Sequence, residues 1–174
     1  MNFAKFQELV EKRSGFRTME APMATGEYFS DSCGDLYTYF LLVGPGDVIE
    51  DVSYFTTGCG FGTATCSLLV DLARGKTVDA AYAISEADIE AALDGYPEKK
   101  KDYPQRSLSA LRAALDDYRA KRAAGKISDA SLEEARARTV AAATTAAWNE
   151  RDSAGVVVAP SAAAAGGPVT IKLH

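Results

Sequence analysis

The 174-residue chain is 47% hydrophobic and 25% charged, a balance that lets one globular domain bury a core, and its net charge is −5. That modest acidity argues against nucleic acid or an anionic membrane as the main partner, since both reward a basic face. No apolar run is long enough to span a bilayer, and the one histidine, His174, is the last residue, which excludes Ser-His-Asp triads and HExxH zinc sites.

Residues 3–13 place Phe3, Phe6, Leu9 and Val10 on one stripe, which predicts an amphipathic helix ended near Gly15. The preceding mixture of charge and apolar residues fits neither a signal peptide nor an anchor, and a cytoplasmic protein is expected. Residues 16–32 lack periodicity and read as a loop. Leu36 to Val43 and Val48 to Thr57 are β-rich runs separated by the turn signal Gly44-Pro45-Gly46-Asp47, so they form a hairpin. A hairpin alone is marginal. A third strand comes either from a bend in the second run or from residues 26–30 pairing at an edge.

After Gly58-Cys59-Gly60 the period becomes helical, with Ala64, Leu68, Leu69 and Leu72 on one side and Gly75 closing the helix. Short helices fit Val78 to Ala83 and Ser85 to Leu93, the latter with Ser85 and Asp88 at N-cap spacing. Residues 94–106 read as a charged loop with two prolines and Lys99 to Lys101. Longer helices follow from Ser107 to Ala124, with Leu108, Leu111, Leu115 and Tyr118 inward, and from Ala130 to Glu150 after Ser128 or Asp129. The mixed charges of Glu133 to Arg138 suit an exposed or dimer-facing helix. The organisation is one α+β domain over residues 1–150, a small antiparallel three-stranded sheet with helices on one face. A flexible tail follows over residues 151–174, where Val156 to Val158 or Val169 to Leu173 offers a short strand.

Three cysteines, Cys33, Cys59 and Cys66, without a secretion signal favour reduced thiols over a disulfide framework. Cys33-Gly34-Asp35 stands where a loop enters the first strand, and Gly58-Cys59-Gly60 where the second strand hands over to a helix. Thiols at such joints are partly exposed, and a helix N-terminus favours the thiolate, the form that binds zinc, iron or sulfur. Asp35 presents a carboxylate to the same place. Without CxxC pairs, this spacing alone leaves structural burial open. Gly75-Lys76-Thr77 imitates the end of a P-loop, but Val70 stands where its first glycine belongs and the segment ends a helix, so a nucleotide role is set aside.

The order of the pieces is more specific than any one of them. Cys33-Gly34-Asp35, the strand Ile49 to Thr57, Gly58-Cys59-Gly60 with Ala64, and Gly75-Lys76-Thr77 come in that sequence. Ile84 to Ile89, Leu93-Asp94-Gly95-Tyr96-Pro97-Glu98-Lys99-Lys100, Ala110-Leu111-Arg112 and Asp117-Tyr118 follow. Over about residues 30–120 the chain resembles the NifU/IscU N-terminal scaffold family, whose NifU/IscU/SufE-like fold is α+β.

The resemblance implies a scaffold or carrier, not an enzyme in the strict sense, on which a [2Fe–2S] cluster is assembled. Its expected partners are a cysteine desulfurase that supplies sulfur and apo-protein acceptors. Cys33 matches the first family cysteine, Asp35 the aspartate that aids release, and Cys59 the second cysteine. Asp102 and Tyr103 stand where a His-Cys pair is expected, so the third cysteine, the usual persulfide acceptor, is replaced. The expected ligand set is therefore Cys33, Asp35 and Cys59 with Asp102 as substitute, a mixed sulfur and oxygen site that suits iron or zinc better than a cluster preferring four thiolates. Cys66 lies about 10 Å further along the helix axis than Cys59 and reads as a packed, inert thiol. The Lys99 to Lys101 loop is either solvated or the dock for a chaperone or the desulfurase. A homodimer sharing the cluster would restore the ligand count. The competing readings are a degenerate adaptor or regulator of the assembly machinery and a zinc-stabilised structural domain.

Overall fold

A computed structural model of the protein describes residues 1–153, with side chains to residue 146. Packing separates Met1–Val140 from a second unit, Ala141–His174. The elements are α1 (Phe3–Lys12), β1 (Ala24–Ser30), β2 (Asp35–Gly44), β3 (Val48–Thr56), α2 (Gly60–Ala73), α3 (Val78–Tyr82), α4 (Glu86–Ala92), α5 (Tyr103–Ala123) and α6 (Asp129–Ser153). In the second unit the described residues are the end of α6. The expected tail and its short strands lie outside the described residues.

The three strands form one antiparallel sheet in the order β1-β2-β3. Tyr37, Tyr39, Leu41 and Val43 alternate along β2 onto one face and are fully buried there, joined by Val52 and Tyr54 of β3. On that face α5 packs against β1 and β2, and α2 packs against β3. α2 is buried almost all round, and its polar groups are satisfied internally. The Tyr54 hydroxyl lies 2.8 Å from Ser67 Oγ, and Thr65 Oγ1 lies 2.7 Å from the Tyr96 hydroxyl. Helices on one face of a three-stranded sheet is the α+β arrangement expected from the sequence.

Two boundaries differ from the sequence reading. Within the segment read as a loop over residues 16–32, the third strand is the edge pairing offered for residues 26–30 and not a bend in the second run; it starts earlier, at Ala24, and the backbone at Gly15 to Arg17 also bonds to Tyr54 of β3. β1 carries Thr25, Gly26 and Glu27, so its composition hides it. What makes it a strand is pairing with β2, with Gly26 opposite Tyr39. Gly26 also faces α5: a Cβ there would lie 2.0 Å from the Ala114 nitrogen, so only glycine lets helix and strand approach this closely. The second difference is α5, which starts at Tyr103 and not at Ser107, because Pro104 sits in its first turn, where its missing N–H is harmless. Asp102, Tyr103 and Arg106 therefore belong to a rigid helix end. On α1, Leu9 is buried and Phe6 and Val10 pack on the core, whereas Phe3 is exposed and does not share their burial.

Candidate functional site

Because β2 starts where β3 ends, the two joints singled out in the sequence lie at the same end of the sheet, and the first turns of α5 reach both. Cys33 sits in the turn from β1 to β2, closed by a 2.8 Å bond from the Gly34 N–H to the Ser30 carbonyl. Gly34 has φ +72°, a conformation that suits glycine. The Cys33 thiol is exposed; it donates to Ser30 Oγ at 3.3 Å and accepts from Arg106 Nη1. Asp35 opens β2, and its carboxylate accepts from the Tyr37 hydroxyl at 3.4 Å. Gly58 permits this joint: a Cβ on it would lie 3.1 to 3.3 Å from Thr56 Oγ1, the Tyr37 hydroxyl and Asp35 Oδ2.

Cys59 occupies the N-cap position of α2 and is exposed. Its sulfur lies 3.2 Å from the hydroxyl of Tyr103, a residue only 5% exposed. Partial burial raises the Cys59 thiol pKa. The Tyr103 hydroxyl, the backbone N–H groups of Phe61 and Gly62 and the charge of Lys100 outweigh it and bring the thiol below its ordinary value. Tyr103 itself is pushed well up by burial and by Cys59, so it stays protonated and donates. Its ring is 5.9 Å from Phe61, 5.0 Å from Lys100 Nζ and 4.9 Å from the Arg106 guanidinium.

Arg106 was not singled out by sequence. It is 7% exposed and contacts Cys33, Ser32 Oγ at 3.0 Å, and Asp102, one helical turn before it. Burial works against its charge, but Asp102 and Cys33 outweigh that and hold it protonated. Asp102 stands at the N-cap position of α5 yet bonds no backbone N–H there; its carboxylate is turned to Arg106. The signal for Arg106 was Pro104 read as a helix-starting residue, which places Asp102 and Arg106 at i, i+4 spacing.

Cys33 and Cys59 are thus held by residues one turn apart on α5, with Asp35 linked through Tyr37. Among the described residues no three His, Cys, Asp or Glu side chains stand as a group that could hold a metal ion. In this arrangement Arg106 and Tyr103 stand among the four predicted ligands. Cys66 lies apart from them, fully buried, 3.4 Å from Ser107 Oγ, and burial pushes its thiol up to about 11. Among the described residues no helix is long and apolar enough to cross a membrane.

The profile of the NifU-like N-terminal domain matches residues 10–125. The iron–sulfur cluster assembly scaffold protein IscU of Aquifex aeolicus is 33% identical over 65% of this chain and 71% of its own length. IscU of Escherichia coli K12 is 32% identical over 63% of this chain and 84% of its own. IscU 1 of Archaeoglobus fulgidus is 37% identical over 49% of this chain and 56% of its own. Among solved structures, the N-terminal part of a nitrogen-fixing NifU-like protein from Brucella abortus superposes with a TM-score of 0.52 at 18% identity, covering 66% of this chain and 90% of that one. A candidate SUF-system scaffold from Fervidobacterium islandicum gives 0.53 at 22% identity, covering 64% and 93%. These two likenesses extend to the fold.

Proposed function

The chain belongs to the NifU-like N-terminal domain family, and from that premise we propose that it is an iron–sulfur cluster assembly scaffold or carrier working in the cytoplasm. Its cargo is iron or a labile [2Fe–2S] cluster held through Cys33, Asp35 and Cys59. The supporting observation is the convergence of two exposed thiols on neighbouring turns of α5, Cys59 on Tyr103 and Cys33 on Arg106. Thiolates are soft ligands that hold iron in iron–sulfur clusters, and the donors around Cys59 favour its thiolate over the thiol. Asp102 is a fourth ligand once it leaves Arg106. On this reading the protein receives sulfur from a cysteine desulfurase and passes the cluster to apo-proteins, with no substrate turnover of its own.

The deciding experiment is anaerobic purification of the full chain, reconstitution with iron and sulfide, and measurement of bound iron, acid-labile sulfide and the visible spectrum. Equal iron and sulfide with a charge-transfer spectrum are expected, reduced to background in Cys33→Ser and Cys59→Ser variants. No retained iron or sulfide in the wild type would overturn the scaffold reading and leave an adaptor of the assembly machinery in its place.

A further inference from the structure

A site built to receive a metal ion seldom has a permanent cation in its midst, yet Arg106 is one. Its guanidinium donates to Cys33 Sγ and Asp102, two of the four predicted ligands. It also lies over the ring of Tyr103, whose hydroxyl meets a third, Cys59. An arginine does not lose its proton at such a place, and with 7% exposure it has little solvent to screen it.

Two kinds of cargo meet this cation differently. A bare divalent ion on Cys33 would sit about 2.3 Å from the sulfur, beside the guanidinium, where like charges repel in a poorly screened setting. Ligation by Asp102 breaks its ion pair with Arg106 for either cargo, so the difference lies at Cys33. In an iron–sulfur cluster the bridging sulfides carry negative charge between the irons, and hydrogen bonds to the cluster's sulfurs help set its properties. The Arg106 N–H groups are placed to donate to such sulfurs.

We propose that Arg106 is the selectivity residue of this site: its guanidinium, fixed between Cys33 and Asp102, disfavours a bare divalent ion, which offers it no acceptor, and favours a cluster whose sulfides accept its N–H groups. This rests on the scaffold reading above and deepens it by naming which form of the cargo the site accepts.

The test compares full-length wild type with Arg106→Gln and Arg106→Lys. Zinc affinity of the metal-free proteins is measured by competition with a chromophoric chelator, and cluster retention by iron and sulfide content after reconstitution and gel filtration. Removing the charge in Arg106→Gln is expected to tighten zinc roughly 10- to 100-fold and to lower cluster retention, while Arg106→Lys keeps zinc within about 3-fold of wild type. Unchanged zinc affinity in a folded Arg106→Gln, or cluster retention equal to wild type, would overturn the proposal. A wild type that takes up no cluster sinks the scaffold reading, whereas the zinc comparison reports on the Arg106 charge alone.

Discussion

At the scale of single residues, the two exposed cysteines meet different donors. Cys33 accepts from a guanidinium that is already paired with Asp102. Cys59 is held by neutral donors, the Tyr103 hydroxyl and the backbone N–H groups at the start of α2, with Lys100 nearby. The Lys100 Nζ is 3.4 Å from that same hydroxyl, so its charge acts partly through Tyr103. These donors favour the thiolate over the thiol, which lowers the Cys59 pKa. The variant Tyr103→Phe keeps the ring and its packing but removes the hydroxyl. The Cys59 pKa is then expected to rise, and the pH profile of its alkylation by iodoacetamide, read on a Cys33→Ser background, to move to higher pH. A profile that stays in place would show that the backbone N–H groups and Lys100 hold the thiolate without the hydroxyl. The sequence marks Tyr103 as the residue in place of a cysteine, but its partnership with Cys59, 44 positions away, needs the fold.

At the scale of elements, the site depends on how closely α5 approaches the sheet. α5 delivers both Tyr103 and Arg106, and its seat is β1, where Gly26 lies against the Ala110 to Ala114 turn. The contact is reinforced by Asp117, whose carboxylate accepts from the Thr25 N–H at 3.0 Å and from Lys121 at 2.7 Å. A methyl at residue 26 would have to push backbone away from backbone, which no side-chain rotation relieves. Gly26→Ala is therefore expected to cost about 3 kcal/mol of stability, the upper part of the overpacking range, read as a lower denaturant midpoint with an unchanged m-value. A loss below about 0.5 kcal/mol, the level of an ordinary surface change, would mean that α5 rides freely on β1. This junction was the least legible part of the sequence. Periodicity found β2, β3 and α2, where apolar residues recur at the right interval, and the capping box of Ser85 and Asp88 marked α4 correctly. It gave no signal for β1, which the sequence offered only as one of two sources of a third strand, because close packing requires a glycine there in place of an apolar residue. It placed the start of α5 too late, because Pro104 was counted as a breaker and not as a first-turn residue.

At the scale of the whole molecule, the site and the core that supports it fall within one of the two units. The buried core from Leu9 to Ala135, the sheet, and every predicted ligand belong to Met1–Val140, and the family match ends at residue 125. α6 contributes to that unit through Leu132 and Ala135, both buried, and through Arg138, which donates to the Ala21 carbonyl at 3.1 Å. These three contacts all precede Val140. Beyond it the described part of the helix is rich in alanine and threonine and lacks an apolar stripe in sequence. A chain ended after Val140 is accordingly expected to melt within about 2 °C of the full-length protein, equivalent to a few tenths of a kcal/mol for a domain of this size. It should also retain iron and sulfide in the same ratio after reconstitution. Moving the end back to Gly125 removes Leu132, Ala135 and Arg138 and is expected to lower the midpoint by several degrees. Equal melting of the two truncated chains would show that α6 contributes nothing to the core. A loss of cluster retention at Val140 without a change in melting would instead assign residues 141–174 a part in holding the cargo.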